Sequence, residues 1–248
     1  MAAPQSDAER ATRVDLAAAY RLAALNGWDD TIYTHISAAV PGEAGAYLIN
    51  PYGLLFEEVC ASNLVKVNTR GDKLDDSPYG VNPTGFAIHG TLHAARADVG
   101  CVLHLHTHWG MALAMLPDGL RPTTQHAMRL FQRLGRHAYE GLALGGAEAQ
   151  RLVADLGSLD GLILENHGTL TVGQTVAEAY MLMHHLERAA RAQLTAMAAS
   201  GGAVLQVSEA LAAQTYRQWV GDGTERDGDA EWPALLRRLN RLDPSYQH

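Results

Sequence analysis

The stretch VNPTGFAIHGTLHAARADVGCVLHLHTH, residues 81–108, decides the fold class. Its first part predicts a helix over 84–96 that stops near Asp98 to Gly100, where Asp and Gly end the helical spacing. Cys101 to His106 follows as a short apolar run of strand length, and a further helix starts near Thr107. Helix, strand and helix in immediate succession point to layered α/β structure. Within the strand, His104 and His106 stand two positions apart. Both imidazoles therefore leave the same face, with Cα atoms about 6.5 Å apart, while Leu103 and Leu105 point the other way.

Working outward, Ser6 and Glu9 have the form of a capping box ahead of a helix whose apolar positions run from Val14 to Leu25, ending at Asn26-Gly27. From Thr31, alternation of Ile32, Thr34 and Ile36 against Tyr33, His35 and Ser37 predicts a strand, paired as a hairpin with residues 46–49. Residues 51–83 are rich in Pro and Gly and read as irregular, with a short strand at Leu64, Val65 and Val67. After a polar loop at 117–124, the pattern gives a helix at 147–156, strands at 161–165 and 169–172 around Asn166-His167-Gly168, and a long helix at 176–199. Two short helices at 207–219 and 231–240 close the chain, with a polar, mobile loop expected at 221–229. With no internal repeat or low-complexity linker, one domain over 1–248 is the economical reading. Its core covers about 12–200 and a helical tail covers 201–248. The expected architecture is α/β, three-layer α/β/α around a largely antiparallel central sheet.

The chain has 248 residues, 47% of them apolar, enough for a sizeable core. Its 19 Lys and Arg against 27 Asp and Glu give a formal charge of -8, which argues against sequence-independent binding to nucleic acid or to an anionic membrane. Charges interrupt the amino end where a signal peptide needs an apolar run, and no stretch has the length to span a bilayer, so a cytoplasmic protein is expected. Cys60 and Cys101 form no CxxC motif and read as reduced core residues.

Histidine is the unusual component, with 12 in the chain. A strand-borne HxH pair suits two ligands converging on one ion, and His167, in a tight turn after an apolar strand, is the candidate third ligand. The same residues also suit partly buried, hydrogen-bonded histidines without metal. His108 reads as an exposed first-turn residue. His184 and His185, adjacent on the long helix, point about 100° apart and read as structural.

Three ordered segments, residues 50–75, 81–108 and 162–180 (LILENHGTLTVGQTVAEAY), together resemble the class II aldolase/adducin family, as does the closing LDPSYQH at 242–248. The resemblance runs from about residue 12 to 200. It implies an α/β/α fold, a divalent metal on His104, His106 and His167, with Zn the first choice and Mn or Fe next, and a cyclic homotetramer with active sites between subunits. It also implies Lewis-acid stabilisation of an enediolate in the sugar-phosphate aldolases. Two departures stand out. The aldolase Ser-Ser-Glu corresponds here to Pro83, Thr84 and Gly85, which removes the acid/base glutamate. The Gly-Asn pair that helps bind phosphate is replaced near Gly27 by Gly-Trp-Asp-Asp, which sets carboxylates against an anion. These departures resemble the adducin-like branch, which holds decarboxylases, iron oxygenases and noncatalytic cytoskeletal adducins.

The expected function is therefore a metal-dependent carbon-carbon lyase, decarboxylase or aldolase, acting on a small nonphosphorylated hydroxy, keto or aromatic acid. An iron oxygenase on the same histidines and a noncatalytic assembly domain are the alternatives. His35 and Tyr246 are candidates to replace the lost base, the latter because aldolases of the family the chain resembles use tyrosines, some of them from a neighbouring subunit. Asn82, Thr84, Gln125 and His126 are candidates for substrate contact, Tyr139 and Glu140 are looser ones, and Arg129, Arg133 and Arg136 recur at helical spacing.

Overall fold

In a computed structural model the structure describes residues 5–141, 146–221 and 226–248. Seven strands form one sheet: β1 (His35–Ala39), β2 (Ala46–Ile49), β3 (Val65–Asn68), β4 (Cys101–Leu105), β5 (Leu134–His137), β6 (Gly161–Leu164) and β7 (Gly168–Gly173). Their order is β3-β2-β1-β4-β7-β6-β5, and every pairing is antiparallel except β5 with β6. The helices are α1 (Asp7–Leu25), α2 (Pro83–Ala95), α3 (His108–Ala114), α4 (Gln125–Arg129), α5 (Gly146–Leu156), α6 (Val176–Ser200), α7 (Glu209–Val220) and α8 (Glu231–Leu242).

Strand alternation divides the core into two layers. Ile36, Leu103 and Leu105 pack with α1, α3 and α6 on one face. Val102, Leu162, Leu170 and Val172 pack with α2 and α5 on the other. The result is the expected α/β/α sandwich. Tyr20, fully buried on α1, fastens the first layer to the sheet: its hydroxyl oxygen accepts from the Ile36 amide at 2.7 Å. The Ser6 hydroxyl caps α1 by accepting from the Glu9 amide at 3.1 Å, but the Glu9 carboxylate turns away to Arg13 and Lys66, so only half of the expected box forms. The long helix α6 begins on a Thr175 cap and ends at Gly201, whose φ of 65° is the left-handed conformation glycine favours.

Two expectations change. The first strand starts at His35 rather than Thr31, because Thr31 and Thr34 take φ of 51° and 65°, which breaks extended pairing. Arg129, Arg133 and Arg136 do not share a helix: α4 stops at Arg129, and Arg136 lies on the edge strand β5. Gln125 and His126 form the first turn of α4, with Thr124 as its cap. The tail reaches the core. Tyr246, in a 3₁₀ turn at Pro244–Gln247, is 1% exposed, and the backbones of Ala61 and Ser62 donate to Tyr246 and His248.

Within the expected mobile loop, residues 222–225 lie outside the described residues. Asp227 nearby is an anchor: its carboxylate bridges Arg129 on α4 and Arg133, with closest contacts of 2.5 and 2.6 Å. Burial opposes its ionisation, yet the two guanidinium partners outweigh that and hold its pKa below the usual carboxylate value. Both cysteines are free, and Cys101 is buried. Among the described residues no helix is long and apolar enough to cross a membrane.

Candidate metal centre

The centre of the sheet brings three histidines together. His104 is the penultimate residue of β4, whose register sets Leu105 opposite Thr169 of β7. His104 Nδ1 lies 3.2 Å from the Thr169 carbonyl, so its N–H is committed there and Nε2 is left as a lone-pair donor. His106, just beyond the strand, sends Nδ1 to the Asp30 carboxylate at 2.9 Å, which fixes the ring in the same way. His167 sits in the turn joining β6 and β7, where Asn166 adopts φ of 53°. Gly168 permits that turn, since a Cβ there would stand 2.6 Å from the Leu105 carbonyl oxygen.

One ring nitrogen from each histidine lies within 4.8 Å of the others, and the facing Nε2 atoms of His106 and His167 are 2.9 Å apart. Burial, reinforced by the neighbouring imidazoles, holds His104 well below the ordinary histidine pKa and brings His167 to about 4. Neutral imidazoles with converging lone pairs fit a borderline divalent cation such as Zn, Mn or Fe. This is the donor set expected from the HxH pair and the Asn-His-Gly turn.

The cluster lines a cavity of about 370 Å³. Among the described lining residues there is no Lys, Arg, Asp or Glu; the wall is histidine, Thr34, Asn82, Asn166, Ile88 and the half-exposed rings of Tyr33, Tyr52 and Tyr139. Backbone strain gathers here, because Thr34 and Asn166 both carry positive φ, and the buried Thr34 hydroxyl has no hydrogen-bond partner among the described residues. A cavity of similar size, about 380 Å³, lies at Gly119, Arg121 and Arg136, with no such convergence of ligands.

His35 forms part of the same wall through its register opposite His104. It is 4% exposed, neither ring nitrogen has a hydrogen-bond partner among the described residues, and burial, aided by His106, lowers its pKa to about 4. Its ring covers Gly85, where an added Cβ would meet three of its carbons at 2.8 Å. The space in which a side chain at position 85 would start is thus filled by His35.

The other expected residues divide. Asn82 and Tyr139 line the cavity. Thr84 falls in the first turn of α2, and its side chain lies outside the described residues. Gln125 and His126 are not brought to the cavity; His126 Nδ1 lies 3.1 Å from His185 Nδ1 on α6. Tyr246 is packed in the core that includes α1, its hydroxyl donating to Asn240 at 2.7 Å, so burial removes it from the cavity of its own chain. Asp30 was missed as a site residue. Its sequence signal, Gly27-Trp28-Asp29-Asp30, was read as repulsion of phosphate, whereas Asp30 instead orients His106.

Residues 14–194 match the profile of the Class II Aldolase and Adducin N-terminal domain. The chain belongs to the class II aldolase/adducin family. A relative from Caulobacter vibrioides, whose name ranks it only as a candidate aldolase class 2 protein, is 48% identical over 97% of this chain and 93% of its own. Rat alpha-adducin is 41% identical over 94% of this chain, which spans 34% of the adducin's length. Among solved structures, an aldolase II superfamily protein from Pseudomonas syringae superposes with a TM-score of 0.93 at 44% identity, over 98% of this chain and 97% of that one. L-fuculose 1-phosphate aldolase from Glaciozyma antarctica PI12 does so with a TM-score of 0.84 at 26% identity, over 99% and 97%. The family thus unites aldolases with adducins around one fold, and this member carries the three-histidine cluster.

Proposed function

We propose that the protein is a divalent-metal-dependent carbon-carbon lyase acting on a small nonphosphorylated hydroxy, keto or aromatic acid, with decarboxylation favoured over aldol cleavage. The observation that carries this reading is a cavity holding three converging histidines and His35 but no Lys or Arg among its described lining residues. A phosphate, with its double charge, would find no Arg or Lys there. Bound to His104, His106 and His167, an ion of the Zn, Mn or Fe type supplies Lewis-acid stabilisation of a developing oxyanion.

The chain's own residues supply the rest. Asp30 and the Thr169 carbonyl fix His106 and His104 before any substrate arrives, which limits reorganisation. The tyrosine rim takes up the apolar or aromatic part of the acid, and Asn82 offers an amide to its polar part. Loss of CO2 generates a carbanion without removal of a proton from carbon, so the protein needs a proton donor rather than a strong base. Glycine at position 85 brings no acid/base group, and a neutral His35 carries one ring N–H. In this reading His35 returns that proton to carbon. A homotetramer and a cytoplasmic setting belong to the same proposal.

The test is an assay of the metal-loaded protein against 2-keto, hydroxy and hydroxyaryl acids, following CO2, beside a fuculose-type phosphate. CO2 release from a nonphosphorylated acid is expected, with kcat about 10² to 10⁴ lower in His35→Asn. Efficient cleavage of the sugar phosphate with no CO2 from any acid would overturn the reading. The second reading, a noncatalytic assembly domain, draws on the 41% identity to alpha-adducin and predicts no turnover at full metal occupancy.

A further inference from the structure

A smaller cavity, of about 230 Å³, opens where the end of α1, the start of α3 and the middle of α6 meet. These helices cover the face of the sheet that carries Leu103 and Leu105, whereas His104 leaves the other face. Among the described residues the cavity shares no lining residue with the metal centre. Its wall gathers hydrogen-bond donors: the indoles of Trp28 and Trp109, the rings of His108 and His184, and the guanidiniums of Arg188 and Arg191.

Glu187 and Arg191 are four residues apart on α6, a spacing at which an acid and a base ordinarily pair. Here Glu187 is 4% exposed and turns inward, where it accepts from the hydroxyl of Thr107, the cap of α3. Burial raises its pKa, which weakens its hold on a cation. Arg188 and Arg191 are exposed, and neither has a carboxylate at ion-pair distance among the described residues. Asp29 and Asp30, which follow Trp28 in the chain, do not line the cavity, and Asp30 is committed to His106. Two neighbouring guanidiniums thus set up a local positive field in a chain of formal charge -8. Trp28 adds an independent observation. It is 8% exposed and packs against Tyr180 and His184, with ring centroids 5.5 and 6.1 Å away, yet its indole N–H donates to no group among the described residues. A buried indole ordinarily finds an acceptor, and an unmade bond there costs free energy. An anionic oxygen in this cavity would meet that N–H and the guanidiniums together.

We propose that this cavity is a second binding site, for a small oxyanion: a carboxylate or phosphate group carried on a compact apolar body. Arg188 and Arg191 hold the charged oxygens, the Trp28 N–H takes one of them, and the Trp109 ring covers the apolar part. A guanidinium fork matches carboxylate and phosphate alike, so the two head groups share one recognition chemistry. The site lies beside both supports of His106. Trp28 stands two residues before Asp30, and Glu187 holds Thr107, the residue after His106. An occupant therefore sits against the two segments that position this metal ligand.

The test is isothermal titration calorimetry of the zinc-loaded protein with phenyl phosphate and with phenylacetate, at constant ionic strength, in the wild type and in the double variant Arg188→Gln, Arg191→Gln. Both arginines are exposed, so the variant is expected to fold, with thermal midpoint and zinc content as controls. Saturable binding of at least one probe is expected, weakened about tenfold or more in the double variant. Binding of phenyl phosphate alone assigns a phosphate head group, of phenylacetate alone a carboxylate, and of both a general oxyanion site. Absence of saturable binding by either probe would overturn the proposal. Binding undiminished in the double variant would overturn it as well, by placing the probe at the metal cavity instead.

Discussion

Asp30 shows how one residue changes meaning between sequence and fold. As text it is a carboxylate near a loop; in the structure it accepts from His106 and aims Nε2 at the other two imidazoles. A carboxylate in that position fixes the tautomer of the ligand and raises its basicity, and removing such a partner weakens metal affinity about 10- to 100-fold. Asp30→Ala is therefore expected to keep the fold and lose zinc affinity by that factor, measured by competition with a chromogenic chelator. Unchanged affinity would show that His106 needs no such support. The three ligands were legible because an HxH on a strand and a histidine between Asn and Gly are local patterns. Asp30 was not, because its partner lies 76 residues away. Thr34 was hidden for a different reason: a β-branched residue reads as extended, and only the surrounding fold holds it at φ 65°.

At the scale of elements, the junction of β4 with the β6-β7 turn carries the site. Gly168 passes so close to the Leu105 carbonyl that even a methyl group would stand 2.6 Å from oxygen and 3.2 Å from the His106 ring. Gly168→Ala should push the turn outward, separating His167 from His106, with a cost of about 1–3 kcal/mol in stability and loss of stoichiometric metal. Calorimetry together with metal analysis checks it, and full metal with an unchanged midpoint would refute the argument. The long helices α1 and α6 were legible because many residues vote for one period, and β4 because its apolar run has strand length and follows an Asp-Gly stop. β5 was not: Leu134–His137 is four residues long, includes Gly and Arg, and lies at the sheet edge, where one side needs no partner. Its pairing with β6, the one parallel contact in the sheet, is set by tertiary structure rather than by its own composition.

For the whole molecule, the number of histidines held neutral by burial links stability to pH. His93 is lowered to about 4 and His185 to about 3, in both cases chiefly by desolvation, and His185 further by Arg129. An imidazole depressed on folding gives stability that is complete above its unfolded pKa, near 6.5, and is lost as pH falls toward the folded value. The thermal midpoint is accordingly expected to hold above pH 7 and to fall between about pH 6.5 and 4, with His185→Gln flattening part of that slope. A midpoint independent of pH across this window would contradict it. The same architecture makes the central claim, a single divalent ion on three histidines from two different chain segments, open to direct test. The decisive measurement is metal content per chain, by plasma mass spectrometry after loading and exhaustive dialysis, in the wild type and in His167→Ala, with circular dichroism to monitor the fold. The account predicts one ion per chain in the wild type and none in the folded variant. An empty wild type, or a variant that keeps a full equivalent of metal, would contradict it.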